Sequence, residues 1–397
     1  MNPLSSDILH SAQELFEYTR DLRRDFHRHP ELGFQEFRTA GVVARELNSL
    51  GLEVTTGIAK TGVVALLEGT NPGPVVLLRF DMDGLPIQEE TGADYASQNP
   101  NVMHACGHDG HTAVGLTVAR ILVEHRSSLS GTIKLVFQPA EEGLGGASQM
   151  LAEGVLENPK PDAALAFHLW NNQPVGWLGI SPGAVMAASE IFSITISGKG
   201  GHGALPDLAT DPILASAQVI SALQSIVARN VSPLQTAVLS VTTVHGGDAF
   251  NVIPSKVNLS GTIRTFDPAV RKMVLQRFRE VVIQVAAGMG CQADVDIRPL
   301  TPAVYNDAEV TELVANTAAE LFPSSPIEKR FTTMGSEDMA YLMQDVPGCY
   351  FLVGSANPQK GLDAPHHHPR FDVDEQALVS AVALMSASVM NYLDLKK

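Results

Sequence analysis

Residues 74–83 read PVVLLRFDMD, a short apolar run that follows a Pro-Gly-Pro turn and closes on two aspartates, Asp81 and Asp83. A run of this length, rich in Val and Leu and bounded by turn residues, reads as a buried strand. Two more runs have the same build, TIKLVFQPAEE (132–142) and PDAALAFHLW (161–170). A helix is expected between the first two, from about Thr112 to Glu124, and another between the second and third. Apolar strands alternating with helices indicate an α/β fold whose sheet is mostly parallel and covered by helices. In such sheets ligands gather at the carboxyl ends of the strands. Asp81, Asp83, Glu141, Glu142 and His168 all fall at or just past such ends.

Upstream, Asp7–Arg28 has helical periodicity, Thr39–Leu50 forms a second helix ended by Gly51, and GVVALLEG (62–69) is a strand. Downstream the pattern changes near Ala187. EIFSITISG (190–198), QTAVLSVTTV (235–244), SKVNLSGTIRTF (255–266) and CQADVDIRPL (291–300) read as strands. Helices at 211–230 and 267–288 each open on Asp-Pro, a cap residue followed by proline at the first helical position. The order βαββαβ is the ferredoxin-like arrangement. The expectation is therefore a discontinuous catalytic domain, 1–186 and 303–397, with a compact domain inserted at 187–302.

The chain of 397 residues carries 43 acidic and 27 basic side chains, a formal charge of −16. Such a chain repels phosphate backbones, and no basic stripe offsets this, so no nucleic-acid partner is expected. Three cysteines, Cys106, Cys291 and Cys349, make no disulfide framework. The N-terminal stretch lacks the build of a signal peptide, and no apolar stretch approaches the roughly 20 residues of a membrane span. A soluble, cytoplasmic protein with no membrane partner is the expectation.

The chemistry concentrates in MHACGHDGH (103–111), where Cys106 and His108 flank a glycine and could reach one metal ion. A closed structural zinc site would want CxxC pairs, and the chain has none. In QPAEEG (138–143), Glu141 and Glu142 follow a strand. If the backbone stays extended, adjacent side chains point opposite ways, one to a metal and one to the water it activates. His168 ends another strand, and His366, His367 and His368 offer further imidazoles, though three consecutive side chains cannot all face one site. Thiolate, imidazole and carboxylate together suit Zn²⁺, Mn²⁺ or another first-row divalent ion. Two such ions about 3.5–4 Å apart would generate hydroxide near neutral pH and polarise a carbonyl.

Eight segments in order, HRHPELGFQE (27–36), DMDGLPIQEE (81–90), MHACGHDGHTA (103–113), QPAEEG (138–143), GGHGALP (200–206), NVIP (251–254), GTIRTF (261–266) and GSEDMA (335–340), resemble the M20 metallopeptidase family. Within it they are similar to the amidohydrolase branch that includes hippurate hydrolase and plant auxin-conjugate hydrolases. The resemblance implies two divalent metal ions per subunit, held by Cys106, His108, Glu142, His168 and a late histidine. That histidine normally stands two residues before a proline, which selects His367, flanked by His366 and His368. It further implies Glu141 as general base and acid, and Asp83 as the carboxylate that orients a ligating histidine. His202, reaching in from the partner of a homodimer, would stabilise the oxyanion, and Asn251 and Arg264 would hold a substrate carboxylate. The implied reaction is hydrolysis of an N-acyl amino acid. One departure is Gly84, where the branch usually has alanine, a change expected to matter only for backbone freedom. Glu337 and Asp338 read as a helix start, explained by capping.

Two rival readings remain at this level. A dipeptidase or aminopeptidase would share the metals but must also recognise a free ammonium. A silent binding relative would be expected to lose Glu141 or a ligand, and this sequence keeps both.

Overall fold

The computed structural model describes residues 3–396. They form two compact units. The first runs to Val185 and includes Val304–Thr332 and the chain from Asp338 onward; the second is Met186–Ala303 with Thr333–Glu337. The return of 333–337 to the second unit was not foreseen. It arises because Ala187 N–H donates to Gly335 O at 2.8 Å and Met186 bridges to Thr333.

The first unit is built on eight strands. They include β1 (Glu53–Ile58), β2 (Gly62–Glu68), β3 (Asn71–Asp81), β4 (Ser130–Gln138), β5 (Ala163–Pro174) and β6 (Leu178–Gly179). With the strands Gly348–Ala356 and Ile327–Glu328 the order is β1-β2-β4-β3-β5-(348–356)-β6-(327–328). The centre is parallel: β3 pairs with β4 and β5, and β5 with 348–356. Beyond it, β1, β2 and β6 pair antiparallel. Helices α1 (Pro3–Glu14), α2 (Phe16–Arg28), α3 (Phe37–Ser49), α4 (His108–Glu124) and α5 (Gly146–Ala152) complete the N-terminal part. The periodic run 7–28 is thus two helices, parted at Leu15.

Helix α4 is buried almost throughout, which explains its apolar sequence and fixes its first turn against the strand ends. The last helix, Gln376–Leu395, is long and apolar enough to cross a membrane, contrary to the sequence reading. It is a core helix: Leu378, Val382, Leu384 and Val389 are buried in the same cluster as Val114 and Phe137.

The second unit has four antiparallel strands in the order (237–245)-(256–265)-(188–197)-(292–301). Two helices lie on one face, with Phe278 against Phe192 and Val219, Leu223 and Val282 in the shared core. Both helix starts are capped as their Asp-Pro pairs predict. Asp211 accepts from Ile213 and Leu214 N–H, and Asp267 from Ala269 and Val270 N–H. The first of these helices is shorter than its sequence suggests, since 226–230 widens into a π-turn.

A buried ionic knot ties α2 to the elements that carry the chemistry. Arg23 donates to Asp109 in the first turn of α4 (2.7 Å), to Asp372 (2.6 Å) and to Glu375 (3.3 Å). His27 lies between Asp109 (2.7 Å) and Glu89 (3.3 Å). Burial and the Arg23 guanidinium lower its pKa, yet the Asp109 and Glu89 carboxylates prevail and raise it to about 9. With the folded pKa above the unfolded value of 6.5, this stabilisation is whole below that pH and lost as pH rises through about 9. Urea midpoints of wild type and His27→Gln should accordingly differ most at pH 6 and converge by pH 10.

Candidate metal centre

Gly107, at φ 93°, turns the chain so that Cys106 and His108 stand at the amino end of α4. His108 Nδ1 donates to Asp83 O at 2.9 Å and lies 3.2 Å from Asp83 Oδ1. Its Nε2 is buried without a hydrogen-bond partner, 3.7 Å from Asp81 Oδ2. A buried polar atom left so costs about 1–3 kcal/mol. His168 repeats the arrangement: Nδ1 donates to Leu169 O at 2.7 Å and Nε2 faces Cys106 Sγ at 3.4 Å. The donor atoms of Cys106, His108 and His168 lie within 4.8 Å of one another. His168 does not end its strand, however; β5 runs on to Pro174 because the pairing with 348–356 resumes at Ala356 after a register shift.

The glutamate pair is placed differently from the expectation. Beyond β4 the chain is a turn, with Ala140 at φ 55°, and not extended. A left-handed non-glycine residue costs on the order of 1–3 kcal/mol and persists only where its surroundings impose it. Glu141 and Glu142 therefore do not diverge. One carboxylate oxygen of each lies within 4.8 Å of the other and of a His108 nitrogen. The second Asp83 oxygen accepts from Glu142 N–H at 3.0 Å, so one aspartate orients both His108 and the glutamate turn.

The three late histidines are placed differently. His366 is half-buried, its Nε2 donating to Leu169 O at 3.0 Å, and His368 is likewise half-buried, its Nδ1 accepting from Arg370 N–H. His367 takes φ 64°, held by its N–H to Ala105 O at 2.8 Å. This turns its Nε2 to within 3.2 Å of Glu142 Oε1 and into a group with Cys106. Cys106 thus belongs to two donor groups, one with His108 and His168 and one with Glu142 and His367.

Electrostatics fit a cation. Burial and the Glu142, Glu141 and Asp81 carboxylates push the Cys106 thiol well above its usual pKa. Burial, with His111 and His366 alongside, holds His168 neutral. Burial opposes charge on His108, but Asp81 and Asp83 lift it to about 10. A site with several carboxylates, a thiol and a buried His108 Nε2 without a hydrogen-bond partner suits one or more divalent ions.

Several supporting residues were not singled out in the sequence. Leu169 N–H donates to His111 Nε2, so His111 Nδ1 carries the proton given to Asp81 Oδ1 at 2.6 Å. Buried Arg79 donates to Asp81 Oδ2 (2.6 Å), Gln138 (2.8 Å) and Asp338 (3.0 Å). Asp338, read as a cap, instead anchors this floor and accepts from Ala147 N–H at 2.9 Å. Its sequence signal is its place inside the family-like segment GSEDMA (335–340). Gly84 also matters otherwise than expected. It lacks a positive φ, but an added Cβ would lie 3.2 Å from Met103 O and 3.3 Å from Glu31 O, so space and not backbone freedom favours glycine.

In the second unit, His202 pairs with Val252 in a two-stranded ladder, and Gly203 N–H donates to Asn251 O, which brings His202 and Asn251 side by side. His202 is exposed, with Nδ1 accepting from Ala204 N–H at 3.0 Å and Nε2 left for other use. Arg264 is a half-buried strand residue that donates to Thr262 and the Ile263 carbonyl.

Residues 77–391 match the model of Peptidase family M20/M25/M40. The chain is 41% identical over 373 residues to N-acetyl-L-cysteine deacetylase of Bacillus subtilis (strain 168), covering 94% of this chain and 88% of that protein. It is 39% identical to IAA-amino acid hydrolase ILR1-like 5 of Arabidopsis thaliana over 97% of this chain and 89% of that one. Among solved structures, the Bacillus subtilis YXEP protein, described as a dinuclear metal binding peptidase, superposes with a TM-score of 0.84. It shares 36% identity over 96% of this chain and 99% of its own. The chain belongs to the M20 peptidase family, whose members are metal-dependent hydrolases.

If Cys106 gives up its proton to a cation, Zn²⁺ or Co²⁺ binding should release protons and tighten as pH rises. Calorimetry in buffers of different ionisation enthalpy reads this directly. Cys106→Ser is expected to release fewer protons and to lose most of the metal-induced rise in melting temperature.

Proposed function

We propose that this protein is a cytoplasmic, homodimeric, two-metal amidohydrolase that splits N-acyl amino acids into a carboxylic acid and a free amino acid. The observation that carries the reading is the sharing of Cys106 Sγ between two donor groups, with Glu141 beside them. Cys106, His108, Glu142, His168 and His367 would hold the two ions, and Asp83 would fix the His108 ring. When bound, the ions supply Lewis acidity for the amide carbonyl and for the attacking water.

The chain's own residues do the rest. Glu141 takes the proton of the attacking water and passes it to the leaving nitrogen, which departs as a neutral amine. His202 donates a hydrogen bond to the oxygen that becomes negative as the carbonyl is attacked. Asn251 and Arg264 receive the substrate carboxylate, the guanidinium offering paired donors. Relatives named for N-acetyl-L-cysteine deacetylation and IAA-amino acid hydrolysis support a substrate that releases an amino acid. Exposed apolar side chains in the second unit, Leu208, Leu234, Val244 and Phe250 among them, support self-association there. The free state of all three cysteines accords with a reducing compartment.

The test is a metal-reconstituted assay on N-acetyl, N-benzoyl and indole-acetyl amino acids beside dipeptides. Metal-dependent release of amino acid from the N-acyl panel is expected, and cleavage of dipeptides alone would overturn the substrate class. Glu141→Gln should lower kcat by about 10²–10⁴-fold with metal content unchanged. His202→Ala should lower it by about 10²–10³-fold. Leu234→Glu with Phe250→Glu should yield a monomer by light scattering that is nearly inactive, whereas an active monomer would remove the role of the partner's histidine.

A further inference from the structure

The segment ELGFQE (31–36) contains none of the proposed ligands, yet it is the part of the chain that grips the glutamate turn. Glu36 is fully buried. One carboxylate oxygen accepts from Ala140 N–H at 2.9 Å, and the other accepts from Thr61 Oγ1 at 2.5 Å. Ala140 is the left-handed residue immediately before Glu141, and its carbonyl accepts from Gly146 N–H at 3.0 Å. Gly33 packs so closely on the same turn that an added Cβ would sit 3.1 Å from Ala140 Cα. The neighbouring Glu31 carbonyl accepts from Gly84 N–H at 2.7 Å, next to Asp83.

Asp83 and Glu36 thus hold alternate amides of one turn, Glu142 N–H and Ala140 N–H, from two sides. A peptide preceding Glu141 has two ways to face. Left to its own preference, alanine would leave the left-handed region, rotating that peptide and re-aiming the two glutamates.

We infer that Glu36 is a positioning residue for the hydrolytic centre: its carboxylate, by holding the Ala140 N–H, keeps Ala140 left-handed and so aims Glu141 and Glu142. The inference rests on the reading of Glu142 as a metal ligand and Glu141 as the proton carrier. The carboxylate acts as an acceptor and not as a charge. Glutamine can therefore replace it, its oxygen accepting from Ala140 and its amide donating to Thr61 Oγ1.

The experiment uses the full chain, stripped of metal and titrated with Co²⁺ against a competing chelator, followed by kinetics at saturating Co²⁺. Glu36→Ala is expected to weaken Co²⁺ binding by about 10-fold and to lower kcat by about 10–100-fold, with KM within about twofold of wild type. Glu36→Gln should restore both. The double variant Glu36→Ala with Ala140→Gly should recover part of the loss, because glycine takes positive φ without help. A general packing role would not produce that rescue. Wild-type Co²⁺ affinity and kcat in Glu36→Ala overturns the inference, as does a glutamine variant as impaired as alanine or an absence of rescue by glycine. Should Glu36→Ala fail to fold, Thr61→Val decides. Untying the other carboxylate oxygen should weaken Co²⁺ binding about threefold, and unchanged affinity overturns the inference. A wild type that binds Co²⁺ but cleaves no N-acyl substrate would sink the substrate reading alone, since the metal-affinity comparison stands without turnover.

Discussion

The constraint on which the first unit depends is the crowding of anionic groups in a largely buried place. Asp81 and Asp83 are buried, and Glu141, Glu142 and the Cys106 thiol converge beside them. Gathering carboxylates in low dielectric is costly unless each oxygen finds a donor or a cation. The surrounding structure answers this atom by atom. Arg79 meets Asp81 from below, His111 meets its other oxygen, and Asp83 is divided between His108 and Glu142 N–H. What is met least is the second His108 nitrogen, buried without a hydrogen-bond partner beside the Cys106 thiol and the glutamate pair. The unmet part of the balance marks where a cation belongs.

A second layer of charge lies behind the first. Arg23 joins Asp109, one residue after His108, to Asp372, five residues after His367. The loops that supply the early and late histidines are therefore spaced by a guanidinium with three acidic partners on different elements. Burying such a knot contributes little net stability, since desolvation offsets much of the attraction. Its consequence is geometric: one guanidinium meets carboxylates on three segments, so those segments are held in one register.

The parallel core, the βαββαβ order and the gathering of Asp83, Cys106, His108 and His168 were legible in the sequence because each depends on local signals. Strand-length apolar runs, Asp-Pro helix starts and a glycine between two metal-competent residues all lie within a few positions. What was not legible depends on backbone turns imposed from afar. The opposite facing of Glu141 and Glu142 assumed extended chain, and the left-handed Ala140 removes it. The resemblance selects His367, but what sets its backbone apart from its neighbours, a positive φ held by the Ala105 carbonyl, rests on a contact distant in sequence. Asp338 looked like a cap because its partner, Arg79, lies on β3, far off in sequence. The membrane-length apolarity of the last helix was missed for the converse reason, scattered Ser, Asn and Asp residues masking a mean hydropathy set by Leu, Val, Ala and Met.

This division also explains why the family match and the site do not share a boundary. The match begins at residue 77, and every proposed ligand lies within it. Yet Arg23, His27, Glu31 and Glu36 precede it, the last three within the family-like segment 27–36, and touch Asp109, Gly84 and Ala140. A metal centre needs donors of the right kind, which a short motif can record, and donors at the right separation, which only the packed chain can impose. Residues that impose separation act through backbone amides and buried carboxylates, so their identity is constrained by shape and hydrogen bonding and not by the chemistry of the reaction. The N-terminal helices and the loop at 29–36 are, on this argument, as much a part of the hydrolytic centre as the motif that contains Cys106.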